Sequence, residues 1–535
     1  MSSKMSPAIR KMTTRFPRKA LTLAIVVLWI VGVKTNAQDT VDATTLNCKY
    51  MFGYQGWQRA QGDGCNSGWQ HWIRSGTTPT GTNMTVDLFP DLTECGSNEL
   101  YATSMHYSNG SVVGLYSTCN ETTIMRHFKW MKDYHVDGAW VQRFGPNHVG
   151  WTESTNKTLL SCKKAAETYG RVFVVMYDVS GASNSTLFNN LTQDWMYLVD
   201  TFKVTQSPRY LYHKGKPLVS VWGFGFPDRS ITAAVATQIV QWFHTGAAAK
   251  YQATVMAGVI SSGDINWRTI AEPWASAIRT ADIISPWFVG SFNTAAGADG
   301  FNTNRIVPDL AECKTLGKDY LPVIWPGFSW SNMHAGSTPQ NQIPRLGGAL
   351  FWEQVYNCIS SGATMLYNAM FDEIDEGTAM LKACPKRSLA PNEGYWLTLD
   401  ADGYNNLPSD WYLRLAGCAK KVLCNPTLLT KTMPIDPNNP TSIRKEDRHS
   451  PVPLAGERIY IRGGTLDLKL GPDEKANVVL YKIDGREQKV FECRSRGGTA
   501  QVSLFTQGKI INGVYLLQLK IDNSIVENKI LAITR

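Results

Sequence analysis

The sequence has few of the features that mark a membrane protein or a nucleic-acid-binding protein. Among its 535 residues only one segment, residues 20–33, is a long apolar run, and it is shorter than the about 20 residues that cross a bilayer. The net charge is +9, but the first 37 residues hold seven cations and no acid, so the rest of the chain carries only +2. Because nucleic acids are bound through basic surfaces, we predict no nucleic-acid partner. Because the apolar run is short, we also predict no stable membrane span after the leader is removed.

The sequence also lacks the short motifs of several enzyme classes. No Cys-x-x-Cys pair or His/Cys cluster has the spacing of a zinc site, and no His-Glu-x-x-His occurs. No Gly-x-Gly-x-x-Gly follows an apolar run, which disfavours a dinucleotide-binding fold. The segment GFSWS is not a Gly-x-Ser-x-Gly nucleophile elbow. We therefore predict neither a metal site nor a cofactor.

The basic first segment and the apolar run behind it predict a secretory signal peptide at 1–37. Thr35 and Ala37 are the small residues expected at positions −3 and −1 of a cut after Ala37. The mature protein would then be secreted. The alternative is an uncleaved signal anchor, which would give a type II membrane-anchored protein of the secretory pathway.

Glycosylation signals and cysteines agree with a secretory route. Eleven cysteines are expected to be mostly paired in an oxidising compartment, and because eleven is odd at least one is unpaired or intermolecular. Cys418 and Cys424 are close enough in sequence to form a local bridge. Six Asn-x-Ser/Thr sequons lie in the first part of the mature chain. The predicted N-glycosylation sites are Asn83, Asn109, Asn120, Asn156, Asn184 and Asn190.

Eight short apolar runs alternate with helical patterns between residues 49 and 371. Such runs are typical of strands buried on both faces of a parallel sheet, and the segments between them have apolar residues at three- and four-residue spacing. The pattern predicts an α/β fold, a (β/α)8 TIM-type barrel, with an open doubly wound sheet as the alternative. The predicted strands are 49–57, 136–145, 171–181, 217–226, 253–262, 281–292, 320–330 and 363–371, and the predicted helices are 122–135, 157–170, 231–250, 304–317 and 346–362.

The character of the sequence changes after Cys424. Residues 426–456 are rich in proline and have little hydrophobic periodicity, which indicates an extended linker. From residue 457 apolar residues alternate and Asp-Gly or Asn-Gly turns separate the runs, which predicts a small antiparallel β-sandwich as an accessory domain. The predicted organisation is a signal peptide at 1–37, a barrel at 38–425, a linker at 426–456 and a β-sandwich at 457–535.

The segment ATMLYNAMFDEIDEGT, residues 363–378, places four acids directly after the eighth apolar run. In a barrel enzyme the chemistry lies at the carboxyl ends of the strands, where Glu373 and Glu376 would fall. Residues three apart share a face on a turn or an opening helix, and Gly377 suits a sharp turn. Two carboxyl groups in one pocket, one protonated and one ionised, are what glycoside hydrolysis requires. The alternative is a solvated, acidic start of a helix.

Further candidates lie at the predicted carboxyl ends of other strands. Aromatic rings stack on the apolar face of a sugar, and polar side chains bind its hydroxyl groups. Packing of the loop against the core is the alternative for the residues of the first loop. Arg143 could bind sugar hydroxyl groups or hold Asp178 or a catalytic glutamate in place, and the structural role is favoured. The predicted substrate-binding residues are Tyr54, Trp57, His71 and Trp72 in the first loop, Gln142 and Arg143 after the second strand, Asp178 after the third, Trp267 and Arg268 after the fifth, and Trp330 and Asn332 after the seventh.

The segment FDEIDEGT resembles the Glu-x-x-Glu-Gly-Thr signature of glycoside hydrolase family 99, the endo-α-mannosidases. The motifs GYQGW, GDGCNSGWQHW, TVDLFPDLTE, MYDVSG and PGFSWSN, in this order, resemble a secreted family-99-like subgroup related to families 71 and 99. The resemblance covers residues 49–384. Family 99 carries a His-x-Glu-Pro-Tyr motif at the third strand, where this chain has VMYDVSG, so Asp178 would replace the family's glutamate with a shorter side chain.

The resemblance implies a retaining hydrolysis without an enzyme nucleophile. Glu373 matches the first glutamate of the signature, which assists the attack of the substrate's 2-hydroxyl on the anomeric carbon to give a 1,2-anhydro sugar. Glu376 matches the second, the general acid for the leaving oxygen and then the base for water. The function implied is a glycoside hydrolase acting on an α-linked glycan or polysaccharide, with α-mannosides as the first candidates.

Two kinds of alternative function remain open. One is a related enzyme with another substrate, an α-glucanase, a xylosidase or an arabinosidase. The other is a catalytically silent glycan-binding protein on the same barrel, which the presence of both glutamates disfavours.

The leader predicts a defined end of the mature protein. We expect terminal sequencing of the secreted protein to begin at Gln38, because the cut should follow Ala37. Membrane-bound material that still carries residues before Ala20 would instead identify a signal anchor.

Overall fold

The structure is a computed structural model that describes residues 40–144 and 152–440, and in the C-terminal region residues 459–462, 465–470, 474–482, 487–495, 499–503, 513–521 and 524–533. The predicted signal peptide at 1–37, its cleavage site and residues 441–456 of the predicted linker lie outside the described residues. Within the described part of the chain, none of the helices has both the length and the apolar character that a membrane crossing needs.

Strands of the barrel region alternate with helices as the sequence predicts. In chain order the strands are β1 (Tyr50–Tyr54), β2 (Leu100–His106), β3 (Val112–Tyr116), β4 (Gly138–Phe144), β5 (Val172–Asp178), β6 (Tyr212–His213), β7 (Lys216–Phe224), β8 (Thr254–Ser262), β9 (Ile265–Asn266), β10 (Ile283–Trp287), β11 (Asp319–Tyr320), β12 (Val323–Ile324) and β13 (Leu366–Asn368). The helices are α1 (Glu121–Asp133), α2 (Thr152–Tyr169), α3 (Leu187–Asp200), α4 (Ala233–Gln241), α5 (Trp274–Ile278), α6 (Ala295–Phe301), α7 (Val307–Thr315), α8 (Ala349–Ser360) and α9 (Trp411–Cys424).

The parallel strands form one curled sheet with the order β11-β10-β8-β7-β5-β4-β1-β13-β12. The two outer members, β11 and β12, are successive pieces of one extended segment, separated only by Leu321 and Pro322. The N–H group of Leu321 donates to the carbonyl of Ile284, and the N–H group of Tyr367 donates to the carbonyl of Pro322. The segment thus pairs with both edges of the sheet, as in a TIM-type barrel of eight strand positions, and the open-sheet alternative is not adopted.

The barrel strands are apolar because both of their faces are covered. Every residue of β1 and of β5 is buried, one face against the barrel interior and the other against the surrounding helices. Helix α1 has the matching pattern, with Ile124, Phe128 and Met131 buried at four- and three-residue spacing. Its first turn is capped by Asn120, whose side chain accepts a hydrogen bond from the N–H group of Thr122. Helices α3, α5, α6 and α9 were not among the predicted helices.

The disulfide bonds differ from the local pairing that sequence proximity favoured. Cys424 is bonded to Cys48, with the Cα atoms 5.2 Å apart, and Cys65 is bonded to Cys119. Cys418 and Cys424 both lie on α9, where six residues of helical rise separate them by about 9 Å, beyond the reach of a disulfide. The predicted Cys418–Cys424 bridge is therefore wrong, and the helix itself is the reason.

The described C-terminal strands are all antiparallel. They are β14 (Ile459–Arg462), β15 (Thr465–Lys469), β16 (Lys475–Lys482), β17 (Glu487–Arg494), β18 (Thr499–Ser503), β19 (Gly513–Ile521) and β20 (Ser524–Ile533). One sheet has the order β14-β15-β18 and the other β17-β16-β19-β20. The predicted all-β character is confirmed, while the packing of the two sheets as a sandwich and the domain boundaries of the chain stay predictions.

The Cys48–Cys424 bond is expected to stabilise the barrel region. Replacing both cysteines by serine should lower the free energy of unfolding by about 2–5 kcal/mol, because the bond closes a long loop in the unfolded chain. Urea unfolding followed by tryptophan fluorescence measures this difference. Cys493→Ser, which removes a thiol that is in neither disulfide, is the control, and a double variant as stable as this control would contradict the expectation.

Candidate active site

A tight turn after β13 carries both predicted catalytic glutamates. The N–H group of Gly377 donates to the carbonyl of Ile374 at 3.4 Å. Gly377 has a φ of +63°, and a Cβ atom there would lie 2.9 Å from the backbone nitrogen of Ser329, so the turn requires glycine. Glu373 and Glu376 therefore leave one turn at the carboxyl end of the barrel, where no helix begins.

The first residue of this turn, Asp372, joins the last barrel strand to the loop after the first. Its two carboxyl oxygens accept hydrogen bonds from the N–H groups of Gln55 and Gly56, at 2.8 and 2.7 Å. Gly56 has a φ of +57°, and a Cβ atom there would approach Thr158 to 2.6 Å. Burial raises the pKa of Asp372 to about 7, and the two backbone donors oppose that rise. The GYQGW motif thus stabilises the acidic turn through two backbone hydrogen bonds to Asp372.

Glu373 is buried and hydrogen-bonded through both carboxyl oxygens. The side-chain amide of Gln55 donates to Oε1 at 2.6 Å, and the hydroxyl of Thr378 donates to Oε2 at 3.0 Å. Only 5% of the residue is exposed. Two fixed donors orient the carboxyl group and favour its ionised form, which is the form that can accept a proton.

Glu376 is held through its backbone and leaves its carboxyl group available. Its carbonyl accepts a hydrogen bond from the N–H group of Ser329 at 2.8 Å, and Asp87 fixes that segment by accepting bonds from the Ser329 hydroxyl and from the N–H groups of Ser331 and Asn332. The residue is partly exposed, and no described residue is seen to hydrogen-bond its carboxyl group. The TVDLFPDLTE and PGFSWSN motifs therefore support the turn together.

The electrostatics of the turn favour one shared proton. Burial, then the charges of Glu376 and Asp375, raise the pKa of Glu373 well above its usual range, although Thr378 and Gln55 act in the opposite direction. Burial, with the charge of Asp375, also raises the pKa of Glu376 to about 8. Because the two glutamates interact, the pair holds a proton at neutral pH. The hydrogen bonds to Glu373 oppose its protonation, whereas no described residue donates a hydrogen bond to the carboxyl group of Glu376.

One wall of the site consists of stacked rings. The indole of Trp57 and the imidazole of His71 are parallel, with centroids 3.7 Å apart and planes 6° apart, and Trp57 also stacks on Phe144 at 5.2 Å. His71 Nδ1 lies 3.2 Å from Asp375 Oδ2. Trp57 and His71 are partly exposed. The structure therefore brings these two predicted residues to the acidic turn.

Three aromatic residues predicted to bind substrate are instead part of the core. Tyr54, Trp72 and Trp267 have 0% of their surface exposed, so they cannot contact a ligand in this structure. The Tyr54 hydroxyl lies 2.9 Å from His127 Nδ1, and the Trp72 indole donates to the carbonyl of Tyr116. Their sequence positions correctly predicted that they lie near the carboxyl ends of strands. They did not predict that the rings point into the core. Packing against the core, the alternative given for the residues of the first loop, is what the structure has for Tyr54 and Trp72.

Three polar candidates also have structural partners. Arg143 donates from Nε to Asp194 at 2.6 Å, so its partner is an acid of α3 and not Asp178 or a catalytic glutamate, the partners expected from the sequence. Arg268 donates from Nε to the buried Asp309 at 2.5 Å. The side-chain amide of Asn332 donates to two backbone carbonyls, at 2.7 and 3.0 Å. These contacts give the three residues roles in positioning loops.

Gln142, within β4, and Asp178, the last residue of β5, are buried at the carboxyl ends of these strands. Both affect the buried phenol of Tyr367, whose pKa is raised by burial and then by the charges of Glu373 and Asp178, and lowered by Gln142. Trp330 is partly exposed after the seventh strand position, where its ring contacts another aromatic residue.

Four side chains at this end of the barrel escaped the sequence analysis. Gln55 and Thr378 donate to Glu373, as described above, and they lie within motifs already noted. Trp222, near the end of β7, and Trp287, the last residue of β10, are partly exposed and pack edge to face with centroids 5.5 Å apart. Their positions at the ends of the fourth and sixth strands were the signal that could have identified them.

Only one group of described residues has the proximity of metal ligands, formed by Asp63, Cys65 and Cys119. The two cysteines are bonded to each other, so neither offers a thiolate. The expectation of a site without metal or cofactor stays a prediction.

Comparison with known proteins gives a likeness of fold. No protein-family model matches the sequence, and no curated protein matches it. Among solved structures, the chain is similar to the GH99 endo-α-mannosidase from Bacteroides thetaiotaomicron, in complex with BIS-TRIS-propane (18% identity, TM-score 0.52, 72% of this chain and 99% of that chain). A second structure of an endo-α-mannosidase of the same description has a TM-score of 0.51 at 18% identity, covering 72% of this chain and 100% of that chain. The expected family-99-like fold is confirmed at this level.

The raised carboxyl pKa values predict how stability depends on pH. The folded protein holds protons on Asp372 and Glu376 that the unfolded chain, with carboxyl pKa values of about 4, releases. The free energy of unfolding should therefore fall as the pH rises from about 4 to about 8. Thermal unfolding across this range measures the slope.

Glu376→Gln tests the contribution of one group to that slope. The variant cannot ionise at position 376, so it should lose less stability than the wild type between about pH 5 and about pH 8. Glu153→Gln, at an exposed glutamate of α2, should retain the wild-type slope. Equal slopes in the wild type and Glu376→Gln would show that Glu376 is not protonated in the folded protein at these pH values.

Proposed function

We propose that the protein is a secreted, retaining glycoside hydrolase that acts on α-linked glycans, with α-mannosides as the first candidate substrates. The observation that carries this proposal is the pair Glu373 and Glu376, which leave one glycine-dependent turn at the carboxyl end of the barrel and interact electrostatically. One ionised and one protonated carboxyl group are the two forms that this chemistry needs.

The environments of the two glutamates support different roles. Glu376 carries the proton and is partly exposed, so it donates to the leaving glycosidic oxygen and later removes a proton from the attacking water. Glu373, fixed by Gln55 and Thr378, accepts the proton of the substrate's 2-hydroxyl as that oxygen attacks the anomeric carbon. Water then opens the 1,2-anhydro sugar at the anomeric carbon while Glu373 returns its proton to the 2-oxygen, and the two inversions give retention.

The surrounding side chains supply contacts suited to a sugar. Trp57 offers an aromatic surface beside the acidic turn, and the edge-to-face pair of Trp222 and Trp287 offers another near the ends of the fourth and sixth strands. Gln142 and Asp178 offer hydrogen-bonding groups at the same end of the barrel. The short side chain of Asp178 leaves more room than a glutamate would, which keeps α-glucosides, xylosides and arabinosides among the substrates to test.

Secretion and N-glycosylation are part of the proposal. All six sequon asparagines lie among the described residues, and none of them is buried. Asn109 is exposed and its carboxamide oxygen accepts bonds from Ser111, which leaves the nitrogen for a glycan. The Asn83 nitrogen donates to two backbone carbonyls, at 2.9 and 3.0 Å, and a glycan would remove one of these bonds. We therefore expect lower occupancy at Asn83 than at Asn109.

Substitution of each glutamate separates the two roles. Glu376→Gln removes protonation of the leaving oxygen, so substrates with a poor leaving group should lose about 10²–10⁴-fold in rate, while an activated aryl glycoside is partly spared in its first step. Glu373→Gln should impair both substrates, because the internal nucleophile is no longer activated. Steady-state rates on an aryl α-glycoside and an unactivated oligosaccharide measure the difference.

Further measurements distinguish the proposed mechanism from the alternative functions. A substrate without its 2-hydroxyl should bind but not turn over, and full turnover would rule out this mechanism. Glu393→Gln, at an exposed glutamate, should retain wild-type rates. Binding of defined glycans without any turnover by the wild type would identify a catalytically silent glycan-binding protein, and wild-type rates in both active-site variants would move the site elsewhere.

A further inference from the structure

Asp375 lies between the two glutamates in sequence and has an unusual environment. Its side chain is only 1% exposed, and Oδ2 lies 3.2 Å from His71 Nδ1. Its other oxygen, Oδ1, is buried and has no hydrogen-bond partner among the described residues. A buried carboxyl oxygen without a donor is costly, and its retention needs an explanation.

The groups that interact with Asp375 come from several elements, and most of them are acidic. Asp372, Glu373 and Glu376 share its turn, Asp87 and Tyr116 approach from other segments, and His71 approaches from the first loop. The charge of Asp375 raises the pKa of each of these five acidic groups. His71 is the group in this set that can carry a positive charge.

We propose that Asp375, fixed by His71, is a positioning residue that keeps the carboxyl group of Glu376 protonated at neutral pH. Three observations support this: Asp375 directly precedes Glu376 in the same turn, it is buried with one oxygen fixed by an imidazole, and its second oxygen accepts no hydrogen bond from a described donor. A negative charge at the residue before Glu376 opposes a second one on Glu376 itself. This inference rests on the proposed function, because it assigns Glu376 the general-acid role.

His71 contacts both Asp375 and the stacked ring of Trp57. Its Nδ1 atom lies 3.2 Å from Asp375 Oδ2, and its imidazole stacks on Trp57 with ring centroids 3.7 Å apart. Replacing His71 would therefore disturb both the acid and the wall, whereas replacing Asp375 by asparagine keeps a group that can bond to His71 and removes only the charge. Asp375→Asn is for this reason the informative variant.

The pH dependence of kcat/KM is the first test. Loss of the charge should lower the pH at which Glu376 ionises, so the alkaline limb of the profile should move by about 1–3 units to lower pH in Asp375→Asn. Asp375→Glu, which restores a carboxyl group, should move the limb back towards the wild type. An alkaline limb at the wild-type position in Asp375→Asn would overturn the proposal.

A matched control exists at the opposite end of the barrel. His244 Nε2 lies 2.8 Å from Asp282 Oδ2, directly before β10 begins, so this pair has the same chemistry without the two glutamates. Asp282→Asn should leave the alkaline limb where it is in the wild type. A shift of equal size in this control would mean that the limb reports general stability, and it would also overturn the proposal.

Infrared titration of carboxyl groups separates this inference from the proposed function. The carbonyl band absent from Glu376→Gln belongs to Glu376, and its midpoint should lie above neutral pH in the wild type and lower in Asp375→Asn. This readout needs no substrate, so it holds even if no glycan is cleaved. A wild-type midpoint in the ordinary range of carboxyl groups, about pH 4, would overturn the proposal, including where Asp375→Asn fails to fold.

Discussion

The hydrogen bonds from the Gln55 and Gly56 N–H groups to the carboxyl group of Asp372 connect two segments more than 300 residues apart. They are formed where β1 and β13 are neighbours in the barrel, so the first and last strand positions place their carboxyl-terminal loops side by side. Once Asp372 is fixed, the next residue, Glu373, is in reach of Gln55, and the turn to Glu376 follows. The other features of the site depend on this junction.

The motifs that surround the site act mainly as supports. Asp87, within TVDLFPDLTE, orders the Ser329–Asn332 segment of PGFSWSN, and Ser329 in turn binds the backbone of Glu376. Arg345 adds two hydrogen bonds to the carbonyls of Gly377 and Ala379. A carboxyl group that must give and take a proton needs fixed geometry, because a small displacement of a reacting group strongly lowers the rate. Several residues of the motifs that resemble the family-99-like subgroup therefore stabilise the conformation of the turn.

Burial is also the main cause of the raised pKa values of the carboxyl groups in the turn. Several carboxyl groups lie close together with little compensating positive charge, and such groups cannot all ionise at neutral pH. Protons must therefore be retained on some of these groups. Glu373 has two donors and Glu376 none among the described residues, and the proposed mechanism uses this difference to assign the proton acceptor and the proton donor. The proposed role of Asp375 extends this argument to the third acid.

The sequence by itself determined the alternation of eight strands with helices and the position of the acidic turn, because buried parallel strands are short apolar runs and barrel chemistry lies at their carboxyl ends. It also predicted Glu373, Glu376, Trp57, His71, Gln142 and Asp178 as site residues, and the structure brings Trp57 and His71 to the turn that carries the two glutamates. Only the tertiary structure decided which side chains face the site. Tyr54, Trp72 and Trp267 occupy equally suitable sequence positions but point into the core, since the direction of a ring depends on neighbours distant in sequence. The same reason governs Cys424, whose partner Cys48 is brought near it by the closed barrel, and Gln55, whose role exists only because the first and last strands are adjacent.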